Sequence, residues 1–379
     1  MACTYGFLST HPPTHCGLAT FNQALAAHLT DGGMYGGTVR VTADGDDHRP
    51  VPGVVHTWAP GGLGGWQAAA AALDQFDIAV VQHEYGIYPG LDGHEVLPLL
   101  HRLTVPFIVV LHTVLARPTP RQKGVLEEVV ADAAAVVTMT GSARDRLITG
   151  YRVDAGKVSV IPHGAADHTG VPSRHGLRPH LLTWGLIGPG KGIEWALRAL
   201  ALLKDLVPAP VYTVAGKTHP KVLEHQGETY RDRLRDIGAQ LGVDAAVRYD
   251  PVYRDEGSLS RLIRSADIVV LPYDSSEQVT SGVLIEATAA GIPVVATVFP
   301  HAVELLTDGP GLLVPHRDPT ALAAAIRRIL TEPALADELT GRTRALVPHL
   351  LWPAVAARYR ELAHVVLGSR TAAVAALPR

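Results

Sequence analysis

The sequence predicts an α/β protein with two doubly wound domains, each built on a parallel sheet. Short apolar runs recur along the 379 residues, and they are apolar on both faces, as strands buried in a parallel sheet are. Helical patterns separate these runs, so that strand and helix alternate. The alternation stops at a loop-like stretch, 165–179, and then starts again. Because a domain usually has about 100–200 residues, the length also favours two domains.

The elements follow in order along each half of the chain. In the first half, the apolar runs predict strands at 5–9, 78–81, 107–111, 135–138 and 158–161. The patterns between them predict helices at 18–29, 96–103 and 122–132. In the second half, strands are predicted at 180–187, 211–216, 267–271 and 293–296, and late helices at 319–330 and 352–367.

The composition excludes several classes of protein. A chain with 47% hydrophobic and 18% charged residues is not disordered. The 33 basic and 36 acidic residues give a net charge of -3, so the basic footprint of a nucleic-acid-binding protein is missing. The two cysteines, Cys3 and Cys16, make no disulfide framework and indicate a reducing compartment.

The start of the sequence does not resemble a secretory signal. No apolar run reaches the roughly 18–20 residues of a membrane span. We therefore expect a cytoplasmic protein. Peripheral contact with a membrane stays open, and the sequence leaves the oligomeric state unknown.

Polar residues follow several predicted strands, where doubly wound sheets bind their ligands. Gly17 opens the first helix, and a glycine there lets an anion approach free backbone N–H groups, although an ordinary loop is the simpler interpretation. This segment has no G-x-G-x-x-G pattern, which disfavours a nicotinamide dehydrogenase. His83 and Glu84 follow one strand and His112 follows the next. Structural and functional roles remain open for these side chains, and their spacing forms no zinc pattern.

Two segments of the second half suit an anion. The turn 185–194 contains Gly188, Lys191 and Gly192 before a helix; it is not a Walker A loop, because no hydroxyl residue follows the lysine. A lysine that faces solvent explains this turn equally well. The stretch 272–287 predicts a polar loop and a helix start at Thr280-Ser281-Gly282. Glu286 lies between apolar neighbours and needs a partner if it is buried; the alternative is that it faces solvent.

These segments resemble the retaining glycosyltransferases of family 4, which have the GT-B fold of two Rossmann-like domains. The resemblance covers nearly the whole chain, with the motifs in the family's order. They are His15-Cys16-Gly17, His112, Ile161-Pro162-His163-Gly164, Lys191-Gly192, the signature from Gln278 to Glu286, and Gly291-Ile292-Pro293-Val294-Val295. The resemblance implies an acceptor domain at 1–172, completed by a C-terminal helix at 352–379, and a donor domain at 178–350.

The sequence departs from the family pattern at two positions. Gln278 stands where the signature has its first glutamate, with Glu277 one residue earlier, and Leu186 stands where the family has an arginine. The first change alters the charge near the donor sugar, and the second removes a cation from the diphosphate site. Lys217 and Arg231 are the candidates to replace that cation.

The resemblance implies the transfer of a hexose, of mannose or glucose type, from a UDP- or GDP-sugar to a hydroxyl of a sugar, lipid or small-molecule acceptor. No metal or other cofactor is implied. Glu286 would accept hydrogen bonds from the ribose, His112 and the Gln278 amide would contact the sugar, and Lys191 would hold the diphosphate. The donor-binding residues implied are Gly17, Gly188, Lys191, Thr280, Ser281, Gly282 and Glu286. The catalytic residues implied are His112, Gln278 and Lys191, with His83, Glu84, Lys217, Arg231 and Glu277 as further candidates.

Three other functions remain open. A nucleotide-sugar epimerase of the same fold would convert the donor without an acceptor. A non-catalytic nucleotide-sugar-binding protein is favoured by Gln278 and Leu186. A nicotinamide dehydrogenase is third, because its fingerprint is missing.

Overall fold

The structure, a computed structural model, describes residues 3–30, 36–43, 49–60, 65–173 and 176–375. Its contacts divide the chain into two compact units. Unit 1 consists of Met1–Gly164 and Trp352–Arg379, and unit 2 of Ala165–Leu351. The first domain was expected to extend to residue 172, so the two boundaries differ. The chain joins unit 2 earlier because the backbone N–H of Ala165 donates to the carbonyl of Leu350, at 2.8 Å.

Within the described residues, unit 1 contains seven strands: β1 Tyr5–Ser9, β2 Gly36–Val41, β3 Val54–Trp58, β4 Ile78–His83, β5 Phe107–Leu111, β6 Ala135–Thr138 and β7 Val158–Val160. They form one parallel sheet in the order β3-β2-β1-β4-β5-β6-β7. The strand order reverses between β1 and β4, and ligands of such sheets bind beyond the carboxyl ends at that point. The predicted bounds of β1, β5 and β6 agree with the structure.

The helices described in unit 1 are α1 Gly17–Leu29, α2 Gly65–Leu73, α3 Val96–Arg102, α4 Pro120–Asp132, α5 Gly141–Gly150 and the last helix of the chain, α14 Trp352–Ala375. Helix α14 packs on α1 and shares its apolar core. The Trp352 ring lies edge-on to Phe21, with centroids 5.1 Å apart. The end of the chain therefore completes the core of the unit that its beginning forms.

The described part of unit 2 contains six strands: β8 His180–Trp184, β9 Val211–Ala215, β10 Val247–Asp250, β11 Ile268–Leu271, β12 Val294–Thr297 and β13 Gly311–Val314. Their order is β10-β9-β8-β11-β12-β13, all parallel. The helices are α6 Ile193–Ala201, α7 Pro220–Gln226, α8 Thr229–Gln240, α9 Glu256–Ile263, α10 Gly282–Ala289, α11 Pro300–Leu306, α12 Pro319–Thr331 and α13 Pro333–Leu350.

Both faces of the unit 2 sheet are covered, which explains its continuous apolar runs. Leu181 and Val270 belong to the core on one face, and Leu182 and Val269 to the core on the other. Successive side chains of a strand point to opposite faces, so a strand covered on both sides needs apolar residues at every position. No helix in the described ranges is long and apolar enough to cross a bilayer.

Candidate functional site

The start of α10 presents two open backbone amides. The Ser281 hydroxyl caps the helix by accepting from the N–H of Leu284, at 3.3 Å. The N–H of Ser281 itself donates to Nδ1 of His301, at 2.8 Å. Within the described residues, the N–H groups of Gly282 and Val283 have no acceptor. The expected helix start is therefore in place, but the Ser281 amide is already engaged, and Gly282 and Val283 present the N–H groups that an anion would meet.

Two residues just before this helix offer further polar groups. The Thr280 hydroxyl is buried and has no partner among the described residues. The Gln278 side chain is half-buried, and its Nε2 donates to the carbonyl of Thr280, at 3.0 Å. The neighbouring Glu277 donates its backbone N–H to the Ser275 hydroxyl, at 3.3 Å. The Gln278 amide therefore follows the conformation of the loop that precedes α10.

Lys191 belongs to the loop between β8 and α6, and its side chain lies over an aromatic ring. Its Nζ is 4.3 Å from the ring centroid of Tyr273, and such a cation–π contact stabilises an ammonium group. The Tyr273 ring is buried and stacks on Phe299, with centroids 5.1 Å apart. The backbone N–H of Lys191 donates to Gly188, at 3.2 Å. The ammonium group is thus held on a rigid platform instead of extending freely into solvent.

The loop that contains Lys191 is fixed to the loop after β11 by close backbone contact. Gly192 has φ +63°, and a Cβ there would lie 1.8 Å from the carbonyl oxygen of Pro272. The N–H of Asp274 donates to the carbonyl of Gly190, at 2.9 Å. The carboxylate of Asp274 accepts from the Trp195 indole, at 2.9 Å. Only glycine fits at 192, because a side chain would push the two loops apart.

Glu286 has protein partners. Its side chain is 20% exposed, and Oε2 lies 2.8 Å from Nε2 of the buried His168. The N–H of Ala166 lies 3.4 Å from both carboxylate oxygens. The expectation that this carboxylate needs a partner is met by a residue that the sequence analysis missed. His168 falls in the predicted loop 165–179, and no local pattern links it to a residue 118 positions away.

The two cations considered as replacements for the missing arginine are placed differently. Arg231 is buried, and its guanidinium donates to the Gly216 carbonyl at 2.9 Å and to Glu228 at 3.2 Å. It therefore braces the loop after β9, while its Nη1 is buried and has no partner among the described residues, so its role as the replacement cation stays a prediction. Lys217 lies exposed on that loop, and its carbonyl accepts from the N–H of Ile187, at 2.8 Å.

A chain of polar side chains lies at the carboxyl ends of β4 and β5 in unit 1. Nε2 of His112 lies 2.8 Å from Oε1 of Gln82, whose Nε2 donates to Asn22 at 3.4 Å. Gln82 and His83 belong to β4, which continues two residues beyond its predicted end. Burial, together with the nearby charges of His163 and His83, lowers the pKa of His112 to about 3. The imidazole of His112 is therefore neutral at pH 7.

The other polar residues at this edge are also engaged. Glu84 accepts from the N–H of Tyr85, at 3.0 Å, and from the hydroxyl of Thr113. His83 is fully buried, and burial lowers its pKa to about 4. Its ring lies edge-on to Tyr85, with centroids 5.1 Å apart. His83 thus packs as a neutral core residue.

The start of α1 repeats the geometry of α10. The Cys16 sulfur caps the helix by accepting from the N–H of Ala19, at 3.3 Å. A Cβ at Gly17 would have no described atom within 4 Å, so the space over the helix start is open. The described residues contain no cluster of three or more His, Cys, Asp or Glu side chains suited to a metal ion.

Two family models match the chain. The model described as Glycosyltransferase Family 4 matches residues 17–167, and the one described as Glycosyl transferases group 1 matches residues 178–332. A D-inositol 3-phosphate glycosyltransferase of Frankia alni is 30% identical over 320 residues, which cover 76% of this chain and 77% of the relative. The enzyme of the same name from Streptomyces avermitilis is 29% identical over 313 residues, 73% of this chain and 65% of the relative.

Solved structures share the fold at lower identity. Sucrose-phosphate synthase from Thermosynechococcus elongatus superposes with a TM-score of 0.78 at 20% identity, over 97% of this chain and all of that one. HepE of Anabaena, solved with UDP and glucose, has a TM-score of 0.76 at 16% identity, over 96% of this chain and 100% of its own. The chain therefore belongs to the family 4, group 1 glycosyltransferases and has their GT-B fold of two Rossmann-like domains.

Proposed function

We propose that this chain is a retaining hexosyltransferase that moves a glucose- or mannose-type sugar from a UDP- or GDP-sugar to a hydroxyl acceptor. The observation that carries the proposal is the start of α10, where Gly282 and Val283 present amides without an acceptor in the described structure. In the same unit, Lys191 lies over the ring of Tyr273, which belongs to the loop before α10. The names of the relatives, which describe transfer to inositol phosphate, and the UDP and glucose bound to HepE support this reading.

The diphosphate leaving group is the part of the donor that this geometry suits best. Negative charge builds on the leaving group as the bond between the sugar C1 and the phosphate oxygen breaks. Backbone amides at a helix start and a fixed ammonium group stabilise that charge without having to reorganise. We assign these roles to Gly282, Val283 and Lys191, with the Thr280 hydroxyl as a further contact in the same unit. The open start of α1 at Gly17 is proposed separately as an anion-binding position of unit 1.

Glu286 is assigned to the ribose. A carboxylate has about four lone-pair sites, and His168 and Ala166 take part of this capacity. The remaining lone pairs accept from vicinal hydroxyls. Because His168 fixes one oxygen, the carboxylate is oriented before the nucleotide arrives, which lowers the entropy lost on binding.

His112 and Gln278 are assigned to the donor sugar. A neutral imidazole and an amide can each exchange hydrogen bonds with hydroxyls. An amide cannot serve as a nucleophile or base in place of a carboxylate, so the proposal is attack from the face that the leaving group vacates. The acceptor oxygen bonds to C1, the bond from C1 to the phosphate oxygen breaks, and the proton of the acceptor hydroxyl moves to the leaving phosphate. The sugar thereby keeps its anomeric configuration.

The division of labour between the units is part of the same proposal. Unit 2 holds the three features assigned to the nucleotide, so residues 178–350 are proposed as the donor domain. Unit 1, which includes the C-terminal helix, is proposed as the acceptor domain, and His112 is its proposed sugar-binding side chain. Glu84 is engaged with Thr113, and it is assigned to the shape of this region instead of to proton transfer.

Binding and turnover test the proposal in sequence. The melting temperature of the purified chain is measured with UDP, GDP, ADP and their glucose and mannose conjugates, because a ligand that binds the folded state raises it. Release of nucleoside diphosphate is then followed with inositol phosphate and simple sugars as acceptors, and the anomer of the product is read by proton NMR. Conversion of the donor without an acceptor would identify an epimerase. Binding without turnover over the whole acceptor panel would identify a binding protein, and an inverted product would overturn the retaining assignment.

A further inference from the structure

His301 contacts the segment 278–281 at two points. Its ring nitrogen Nδ1 lies 2.8 Å from the backbone nitrogen of Ser281, and its backbone N–H donates to the carbonyl of Gln278, at 3.4 Å. The residue is 4% exposed and belongs to the first turn of α11. It therefore links both ends of the segment 278–281 to a different helix.

The direction of the Ser281 contact fixes the state of the ring. A backbone N–H can only donate, so Nδ1 of His301 accepts and carries no proton. The neutral ring then has its proton on Nε2. A side chain without an acceptor at this place would leave the buried N–H of Ser281 without a partner, and native structures rarely tolerate such a group.

The corner between β12 and α11 also supports Tyr273, over which Lys191 lies. The buried hydroxyl of Thr297, the last residue of β12, donates to the carbonyl of Tyr273, at 2.7 Å. Thr297 and His301 thus hold the two ends of the loop between β11 and α10, one at each end.

We propose that His301 is a positioning residue for donor transfer: it sets the loop that carries Gln278 and the two open amides of α10, without touching the donor itself. This inference rests on the proposed function for its effect on rate. Its structural part does not depend on that function, because the hydrogen bond to Ser281 exists whether or not a nucleotide binds.

Three variants distinguish the effect of losing the hydrogen-bond acceptor at residue 301 from the effect of changing the volume of its side chain. In His301→Asn, the amide oxygen can take the place of Nδ1. In His301→Gln, the longer side chain places its amide near the position of Nε2 instead of Nδ1, so the amide oxygen cannot accept from the N–H of Ser281 as Nδ1 does. In His301→Leu, the volume is kept and the acceptor is lost. Each full-length variant is compared by hydrogen exchange of a peptide covering 278–286, by UDP and GDP binding, and by kcat and KM for the nucleotide sugar. A peptide covering β8 serves as the internal reference for exchange.

We expect His301→Asn to keep the exchange protection of 278–286 and to keep kcat/KM within about threefold. We expect His301→Leu and His301→Gln to lose that protection selectively and to lose at least tenfold in kcat/KM. The proposal is overturned if His301→Leu protects and transfers like the parent, or if the Asn and Leu variants lose activity equally. If the parent binds no nucleoside diphosphate, the proposed function fails. The exchange measurement then still decides the structural part: protection of 278–286 that is lost in His301→Leu supports a positioning role of His301, and unchanged protection contradicts it.

Discussion

At the scale of single residues, the charged groups assigned to the donor are held in place by nearby side chains. The ammonium group of Lys191 lies on the Tyr273 ring, and the carboxylate of Glu286 is fixed by His168. Both groups are therefore oriented before a ligand arrives, which is what a binding site requires.

Replacing Lys191 with alanine should lower kcat/KM for donor transfer at least tenfold. The loss of one contact to a developing negative charge typically costs about 2.7–4 kcal/mol, or roughly 10²–10³ in rate. The fold should remain, because the side chain is only half-buried. Steady-state kinetics and a thermal melt check this, with Lys221→Ala, which removes an exposed lysine of the same unit, as the control. Parent-like kinetics in Lys191→Ala would remove the lysine from the site.

Removal of the Glu286 carboxylate should act mainly on the nucleotide. Glu286→Ala is expected to weaken UDP or GDP binding and to lower transfer at least tenfold. His168→Gln, which keeps a donor near the position of Nε2, should lose less than His168→Leu, which leaves the carboxylate without that donor and costs on the order of 1–3 kcal/mol of stability. Isothermal titration with the nucleotide and urea unfolding separate the two effects. Equal nucleotide affinity in Glu286→Ala and the parent would contradict the assignment.

At the scale of elements, the position of each candidate contact is set by the loop that connects a strand to the helix after it. The loop after β8 must pass close to the loop after β11, and Gly192 permits this with φ +63° and a virtual Cβ 1.8 Å from the Pro272 carbonyl. Capping residues then fix where each helix begins: Ser281 for α10 and Cys16 for α1. These connecting loops therefore fix the positions of Lys191 and of the backbone N–H groups at the helix starts.

A pair of glycine variants tests this constraint. Gly190 has φ +89° with nothing within 4 Å of a virtual Cβ, whereas Gly192 combines a positive φ with the clash against Pro272. Gly190→Ala should cost about 1–2 kcal/mol from backbone strain alone. Gly192→Ala should cost more than that and should also weaken donor binding, because the Lys191 loop must move. Urea unfolding of both variants measures the difference; equal losses would mean that the loops do not need close contact.

At the scale of the whole molecule, unit 1 depends on chain segments far apart in sequence and on buried neutral histidines. The last helix contributes Trp352 to the core formed by α1. Burial lowers the pKa of His11, lowers that of His83 to about 4 and, with neighbouring charges, lowers that of His112 to about 3. In the unfolded chain these groups titrate near 6.5.

These lowered pKa values make the folded state less stable at acidic pH. Between pH 6.5 and about 4 the unfolded chain binds protons that the folded chain does not, so stability is fully present above 6.5 and falls as the pH drops. His83 alone should remove roughly 1 kcal/mol by pH 5.5. Urea unfolding at pH 7.5 and 5.5, where most carboxylates stay ionised, should show the loss, and His83→Gln should show a smaller one. Stability that rises towards pH 5.5 would contradict the neutral state of these rings.

The local features of this protein were predictable from its sequence. The bounds of β5 and β6 and the helix start at Ser281 depend on residues close together in the chain, because side-chain periodicity and helix capping act over a few positions. The family was predictable for the same reason, since its motifs are short and follow in order. Strands with fewer apolar residues, such as β3 and β10 near the sheet edges, give weaker patterns and were not singled out.

Amino-acid order alone thus determined which residues follow the strands and which helices begin there. Only the tertiary structure decided the partners of those residues. They are His168 for Glu286, His301 for Ser281, Gln82 for His112, and Gly216 and Glu228 for Arg231. The physical reason is that these hydrogen bonds join atoms which the order of strands in a sheet brings together, and the strand order is set by packing of the whole unit. A residue in a loop without periodicity, like His168, shows its role only once that packing exists.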